Sequence, residues 1–291
     1  MLSEYFPREI KTPKMMSNKL KLQIAAVVSA LGGSAFAASS VTYDFQSSAV
    51  GDLFTDNGVA GWSQDTTNPK AFGQTFPLAY VAATNFGGGS SVSAHLGTQQ
   101  SNTPDNADTT LTGSLSSLDP IYNMVNVSFN LAVLDDSADS YEGRDAFNVA
   151  LTTASGAQAA TIGLSPSATS NEVWDIAVGI NGSTSTTPYT ISANSGYTFF
   201  IESKNNVTHF LYGPDGASFA NGNKIGLGSL NGKVTSLNSI TGIAFEHDPL
   251  SPVGTSAHTL AFDNVSVQIP EPSSSLLMVL SAGLIAIRRR R

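Results

Sequence analysis

Apolar and polar residues alternate with a period of two along most of the chain between Ser39 and Ile269. Each alternating segment has one apolar and one small or polar face, which is typical of half-buried antiparallel β-strands. The apolar positions are Val41, Tyr43 and Phe45; Val125, Val127, Phe129, Leu131 and Val133; Phe147, Val149 and Leu151; Ile162 and Leu164; Trp174, Ile176, Val178 and Ile180; Tyr197, Phe199 and Ile201; Ile243 and Phe245. Turn-forming clusters such as Asn181-Gly182 and Asn231-Gly232 separate the segments. Because no stretch repeats with a period of 3.6, the pattern predicts an all-β, two-sheet antiparallel sandwich.

Residues 38–269 contain no low-complexity linker, so a single continuous domain is expected. A galactose-binding-like module of eight or nine strands is usually smaller. A two-sheet jelly roll of about a dozen or more strands fits the length better. In this pattern the segment is similar to the concanavalin A-like lectin and glucanase architecture, and that resemblance implies a fold without implying an activity. Residues 87–119 alternate weakly and are expected to form long loops.

The last alternating segment, LAFDNVSVQI, changes parity in its middle. Leu260 and Phe262 stand at even positions, whereas Val265 and Val267 stand at odd ones. A one-residue bulge at Asp263-Asn264 would keep both sets on the core face. The sequence therefore predicts a bulge there.

The N-terminal segment predicts an export signal over residues 1–37. Lys19 and Lys21 follow Met16, Leu22–Leu31 is a short apolar run, and Ala35-Phe36-Ala37 has the small-x-small pattern of a cleavage site. Cleavage is expected after Ala37, and the residues before Met15 or Met16 are an over-extended start or a long n-region. A buried amphipathic helix is the alternative interpretation.

The C-terminal segment contains a short apolar run, Leu276–Ile287, followed by Arg288, Arg289, Arg290 and Arg291. As a short hydrophobic helix, its twelve residues would extend about 18 Å, whereas the hydrocarbon core of a bilayer is about 30 Å thick. The run therefore predicts a marginal membrane anchor whose arginines stay in the cytoplasm. With an N-terminal export signal, the body of the protein would then lie outside the inner membrane.

Pro270-Glu271-Pro272, a Ser-rich spacer, the apolar run and the terminal arginines together resemble the PEP-CTERM sorting signal. The resemblance implies a Gram-negative bacterium that makes exopolysaccharide, and processing near Pro270–Pro272 by an exosortase. The protein would pass through a membrane-anchored stage to the cell surface or extracellular matrix. Two prolines around one glutamate favour an extended segment that suits the cleft of such an enzyme. An ordinary tail anchor with a chance Pro-Glu-Pro is the alternative.

The body of the chain is strongly acidic. From Ala38 to Pro270 there are five basic and nineteen acidic residues, a net charge of 5 − 19 = −14. Such a surface repels phosphate backbones, so nucleic acid is not an expected partner. Divalent cations are plausible partners of a surface with this charge. The chain has no cysteine, which excludes disulfides and zinc–thiolate sites.

Two sets of acids are candidate Ca²⁺ ligands. The segment LDDSADSYEGRDAF carries five carboxylates, namely Asp135, Asp136, Asp139, Glu142 and Asp145. Calcium takes six to eight oxygen ligands, but the spacing does not match an EF-hand, so a solvated acidic loop is the favoured interpretation and a Ca²⁺ site the alternative. A second candidate site pairs Asp44, near the first strand, with Asp263, near the last. Jelly-roll carbohydrate-binding domains often carry a structural calcium between these strands, and the resemblance to that arrangement is loose.

Hydrolysis of a glycosidic bond needs two carboxylates that face each other across a cleft. Glu172, Glu202 and Glu246 are the candidates, but the sequence offers no pair with a recognisable spacing. Glu246-His247-Asp248 places acid, imidazole and acid together, or is simply the end of a strand. The histidines have no metal-ligand spacing, and the chain has neither a G-x-S-x-G elbow nor a phosphate loop.

Trp62, within GVAGWSQD, is the candidate for stacking on a sugar, whereas Trp174 belongs to an apolar strand face. Together these features predict a non-catalytic surface or matrix protein that binds extracellular polysaccharide and Ca²⁺. The alternative is a secreted glycan hydrolase or lyase that uses the three glutamates above.

Overall fold

The computed structural model describes residues 39–54, 59–67, 79–84, 92–97, 108–115, 124–135, 145–170, 172–204, 207–217, 223–231, 240–248 and 258–269. These residues form strands β1 (Ser39–Tyr43), β2 (Trp62–Thr67), β3 (Ala79–Ala82), β4 (Ser93–Leu96), β5 (Asp108–Ser114), β6 (Met124–Asp135), β7 (Ala146–Thr153), β8 (Gln158–Pro166), β9 (Val173–Ile180), β10 (Ser183–Ser192), β11 (Tyr197–Lys204), β12 (Val207–Pro214), β13 (Ile225–Asn231), β14 (Ile240–Asp248) and β15 (His258–Ile269).

The strands build two antiparallel sheets. The first has the order β13-β12-β11-β6-β15-β4-β3, with β1 also paired to β15, and the second has the order β10-β9-β8-β7-β14-β5-β2. The chain changes sheet at each connection from β4 to β7. Strand β15 lies between β4 and β6 in the first sheet, and strand β14 lies between β5 and β7 in the second. This nested winding makes the sandwich a jelly roll, and the predicted fold class is confirmed.

Apolar side chains from both sheets meet in one core. The ring of Phe245, from the second sheet, stacks on that of Phe262, from the first, with 3.7 Å between centroids. Phe129 of β6 meets Phe245 edge-on and stacks on Phe199 of β11. Because alternate residues of each strand point inward, the period-two pattern places one whole face of each strand in this core.

Trp62 belongs to the core as well. Its ring lies within 5.5 Å of those of Phe45 and Phe262, measured between centroids, and only 6% of the residue is exposed. Gly113, its partner on β5, leaves room for the indole, because a Cβ there would come within 3.1 Å of the ring. The expectation of an exposed Trp62 that stacks on sugars is therefore wrong.

The predicted bulge in β15 is present. Asp263 pairs with Asn130 and Ser266 with Ser128, so two residues of β15 stand opposite one residue of β6. Asn264 adopts a φ of 50°, a backbone conformation that asparagine tolerates better than most residues. Phe262, Val265 and Val267 are consequently all buried on the core face.

The expected long loops of residues 87–119 contain two strands, β4 and β5. All four residues of β4 are buried, so both of its faces are covered, and the polar Ser93 and His95 alternate with Ala94 and Leu96 over these four residues alone. The pattern is weak in this region because β4 is only four residues long and β5 carries Thr109 and Gly113 at inward positions, where apolar residues are expected.

Candidate functional site

Six polar side chains form a continuous row across the outer face of the first sheet. Cross-strand pairing brings each beside the next, and we call Ser40, Gln268, Asn126, Glu202, His209 and Ser229 the polar row. They come from β1, β15, β6, β11, β12 and β13. Their neighbours in sequence, such as Val127, Ile201 and Phe210, are buried in the core. All six row residues are exposed or half-buried.

The side chains of the polar row are partly held in place. Nδ1 of His209 lies 2.6 Å from Oγ of Ser229, and the amide nitrogen of Gln268 donates to Oγ of Ser266 at 3.2 Å. Nζ of Lys224 lies 3.5 Å from Oε1 of Glu202. These contacts leave hydroxyl, amide, imidazole and carboxylate groups on an accessible surface, and such groups hydrogen-bond to sugar hydroxyls.

A phenylalanine lies next to this row on the same outer face. Phe200 is two residues before Glu202 on β11, and Nζ of Lys224 lies 5.2 Å above the centre of its ring. Lys224 thus neutralises Glu202 and covers part of an aromatic ring by a cation–π contact. The lysine therefore contacts both Glu202 of the polar row and Phe200, which is itself fully buried.

A second polar group on this outer face is largely buried. Nδ2 of Asn130 donates to Oδ1 of Asp215 at 2.8 Å, and Oγ1 of Thr198 donates to Oδ1 of Asn130 at 3.4 Å. Asp263 pairs with Asn130 on its other side and is fully buried. Burial raises the pKa of the Asp215 carboxyl above its usual value, although the backbone N–H of Gly216 partly offsets this rise.

His95 of β4 lies farther along the same face. Its Nε2 is 2.5 Å from Oγ1 of Thr84, and its ring lies 5.4 Å from that of Tyr80. Only 2% of His95 is exposed, and burial lowers its pKa to about 4. The imidazole is therefore neutral at physiological pH.

The acidic run after β6 is anchored at both ends by histidines inside the sandwich. Oδ2 of Asp145 lies 3.0 Å from Nε2 of His247, and Oδ1 of Asp135 lies 3.8 Å from Nε2 of His258. The indole nitrogen of Trp174 donates to the carbonyl oxygen of Asp145. The carboxylates at either end of the run thus face imidazoles, whereas Asp136, Asp139 and Glu142 lie outside the described residues.

Asp44 directly follows β1, and Asp263 lies at the bulge of the neighbouring strand β15, but their side chains differ in environment. Asp44 is exposed and its Oδ1 accepts a hydrogen bond from the backbone N–H of Gln46, whereas Asp263 is fully buried. Across the described ranges, no three or more His, Asp or Glu side chains come together in a way that could hold a metal ion. These two carboxylates fall short of the six to eight oxygens that calcium takes.

The three candidate catalytic glutamates do not converge. Glu202 lies on the outer face of the first sheet, while Glu246 lies on the outer face of the second, where Asn148 and Gln158 donate to its carboxylate. Glu172 is exposed in the connection that precedes β9. Because a sandwich core separates Glu202 from Glu246, these residues cannot flank one glycosidic bond.

The processing signals lie outside the described residues, namely Ala35, Ala37, Pro270, Glu271, Pro272, Arg288, Arg289, Arg290 and Arg291. Among the residues that are described, no helix is long and apolar enough to cross a membrane.

The polar row does not follow from the sequence pattern, although part of its signal is present there. Asn126, Ser128 and Asn130 are the polar positions of the long alternating segment that became β6. That spacing identifies an outward face with hydrogen-bonding groups. Which residues of other strands lie beside them depends on strand order and register, and neither follows from a single segment.

Comparisons with known proteins identify the tail. Residues 268–291 match the PEP-CTERM protein-sorting motif, so the predicted sorting signal is confirmed. Signals of this kind are processed by exosortase, which implies export, a membrane-anchored precursor and a surface destination. No curated protein matches the chain.

Several solved structures resemble the sandwich. The CBM2 module of the evolved Dit of Lactobacillus casei BL23 phage J-1 is 13% identical, with a TM-score of 0.48 over 79% of this chain and 96% of that one. Lectin UEA-II, solved with galactose, is 10% identical, with a TM-score of 0.45 over 80% and 99%. A GH131 β-glucanase catalytic domain from Podospora anserina is 12% identical, with a TM-score of 0.44 over 68% and 82%. At such identities, these likenesses carry no information on what this chain binds.

Proposed function

We propose that this protein is a non-catalytic, exosortase-processed component of the cell surface or extracellular matrix, and that its sandwich binds glycan. In this proposal residues 1–37 are removed as a signal peptide, residues 38–269 are the functional domain, and residues 270–291 are the sorting signal. The sorting motif at residues 268–291 supports the destination. An outer surface rich in bacterial polysaccharide is where such a domain would meet its ligand.

The polar row carries the binding part of the proposal. Asn126 and Gln268 provide amides that both donate and accept, Ser40 and Ser229 provide hydroxyls, and His209 and Glu202 complete the set. Sugars present many hydroxyls that act as donor and acceptor at once, so mixed groups on one surface suit them. Rigid neighbouring strands hold these groups at fixed distances, which lowers the entropic cost of binding.

The proposal excludes catalysis by the three glutamates because they lie on different surfaces. Glycosidases need two carboxyl groups about 5 to 10 Å apart. On the polar row, Glu202 stands between Asn126 and His209, with Lys224 as its charged partner. Glu202 can therefore accept a hydrogen bond from a sugar hydroxyl, but neither of its cross-strand neighbours is a second carboxylic acid.

A binding experiment tests this proposal. The mature protein, purified from an exosortase-containing host, is titrated with a panel of polysaccharides, and binding is compared for the parent, Asn126→Ala and Glu202→Gln. Loss of one hydrogen bond of about 1 kcal/mol corresponds to roughly fivefold weaker binding. Asp175→Asn is the matched control for Glu202→Gln, because Asp175 is an exposed carboxylate on β9 of the other sheet.

We expect the two row variants to bind several-fold more weakly and the control to bind like the parent. Absence of binding to every polysaccharide would contradict the glycan-binding role. Equal effects of Glu202→Gln and Asp175→Asn would contradict the location on the polar row. Release of reducing ends during the titration would favour the hydrolase alternative.

A further inference from the structure

We infer that the ligand is an uncharged polysaccharide chain that lies across the strands of the first sheet, with successive sugars along the polar row. This inference rests on the proposed glycan-binding function and adds the class and the orientation of the ligand. Three features of the outer face support it: the direction in which polar groups are continuous, the length of the row, and the charges beside it.

Polar groups are continuous across all six strands, whereas along β11 and β12 they give way to apolar side chains. Crossing the sheet, each of the six strands offers one hydrogen-bonding side chain of the polar row. Following β12 instead, His209 is flanked on the outer face by Val207 and Leu211, and on β11 Glu202 is preceded by Phe200. A chain of sugars that followed β11 or β12 would leave the polar groups after one residue, whereas a chain across the strands keeps them. On β1, β15 and β6 the next outward residues are also polar, namely Thr42, Ser266 and Ser128.

The length of the row sets the length of the ligand. Neighbouring strands lie about 4.8 Å apart, which is close to the length of one pyranose residue in an extended glycan, so six strands extend about 24 Å. A glycan across the row therefore presents about one sugar to each strand. We expect contacts to increase with each added sugar until the chain reaches both ends of the row, at Ser40 and Ser229.

The charges beside the row favour an uncharged ligand. The described acids of this outer face are Asp44, Glu202, Asp215 and Asp263, against the two lysines Lys204 and Lys224. Lys224 already contacts Glu202 at 3.5 Å, and Lys204 stands at the end of β11. Recognition of a carboxylate or sulfate normally uses the guanidinium fork of arginine, and none of the described residues on this face is an arginine.

The net charge of the whole domain also disfavours an anionic ligand. A net charge of −14 over residues 38–270 repels a uronate or sulfated polymer. The repulsion acts over a Debye length of about 8 Å at physiological ionic strength, which covers the surface around the row. An uncharged chain meets no such barrier.

The test uses the mature protein, with two sets of probes in a buffer that contains EDTA. The first set is polymers: the neutral polysaccharides β-glucan, galactan and mannan, and the anionic polymers alginate and dextran sulfate. The second set is oligosaccharides of two to eight units, prepared from the neutral polymer that binds best. Binding is measured for the parent, for the double variant Ser40→Ala and Ser229→Ala, and for Ser63→Ala and Thr184→Ala on the second sheet as a control.

We expect binding to a neutral polymer and no measurable binding to alginate or dextran sulfate. Among the oligosaccharides, the affinity should increase at least tenfold from two units to about six units. The double variant should weaken binding of a hexamer by about fivefold or more and leave a trimer almost unchanged, whereas the control changes neither. Equal or tighter binding of anionic polymers would overturn the inference and leave the glycan-binding function intact. Affinity that is already maximal for a disaccharide would also overturn it. Absence of binding to every polymer, neutral or anionic, would instead contradict the proposed function itself.

Discussion

Several polar side chains of this sandwich are buried, and each contacts a polar group of a neighbouring residue. His95 is 98% removed from solvent, and Oγ1 of Thr84 lies 2.5 Å from its Nε2. His247 and His258 face Asp145 and Asp135 inside the sandwich. Burial penalises the charged form of the His95 imidazole and lowers its pKa. At the scale of single residues, the stability of this protein is therefore sensitive to acid.

Replacement of His95 should reduce the loss of stability in acid. Its pKa is about 4 in the folded protein and about 6.5 in an unfolded chain. As the pH falls from 6.5 to 4, the unfolded state takes up the proton first, so the free energy of unfolding decreases. The largest decrease is about 3 kcal/mol, because each pKa unit corresponds to about 1.4 kcal/mol.

Urea unfolding at several pH values between 8 and 4 measures this effect. We expect the difference in stability between pH 7 and pH 4.5 to be smaller in His95→Asn and His95→Gln than in the parent. His209→Asn is the control, because His209 is exposed and its replacement leaves the buried imidazole in place. The same pH dependence in the parent and in both His95 variants would contradict the prediction.

At the scale of elements, the chain uses local irregularities to keep apolar residues inward. The bulge in β15 compensates for a change of parity between Phe262 and Val265, as the sequence predicts. The Asn181-Gly182 turn, also evident in the sequence, joins β9 to β10 with φ values of 49° and 81°. Strand β4 was missed because it is only four residues long and two of them, Ser93 and His95, are polar, and β10 because it is an edge strand with mostly exposed Ser and Thr. Local pattern therefore predicts strands that have one buried and one exposed face.

Deletion of Asn264 should destabilise the domain strongly. Without the extra residue, Val265 and Val267 would turn to the outer face, and polar neighbours would enter the core. Both valines are fully buried, and loss of each burial costs about 1.5 to 3 kcal/mol. Thermal or urea unfolding of the purified protein measures the change.

Asn264→Gly is the matched control for this deletion, because glycine adopts a positive φ without strain and keeps the register. We expect it to unfold within about 1 kcal/mol of the parent, and the deletion to lose several kcal/mol or to fail to fold. A deletion variant with the stability of the parent would show that the register after residue 263 can shift without cost.

At the scale of the whole molecule, the tail and the sandwich carry different information. The sorting motif at residues 268–291 begins where β15 ends, so the last strand of the domain leads directly into the signal. The polar row lies on the outer face of the first sheet and includes Gln268, close to that junction. Processing after the last strand would release the domain with its outer face intact.

The mature surface protein should lack Arg288–Arg291. Exosortase processing near Pro270–Pro272 removes everything that follows, so the intact mass should correspond to a chain that begins near Ala38 and ends near residue 272. A variant with Pro270→Ala and Pro272→Ala should keep the tail and stay in the membrane fraction. Pro188→Ala is the control, because Pro188 is exposed on β10, far in sequence from the signal. Surface protein with the arginines still attached would contradict the prediction.

The sequence by itself determined the class of fold, the bulge in β15 and the sorting signal, because each depends on residues that are near one another along the chain. Alternation is a property of five to ten consecutive residues, and the signal is a motif of two dozen. Only the tertiary structure decided that Trp62 is buried, that Glu202 and Glu246 lie on opposite outer faces, and that Asp135 and Asp145 face histidines. The polar row was decided there too, since it unites residues from Ser40 to Gln268. Strand order and register place these distant residues together, and both arise from packing of the whole core.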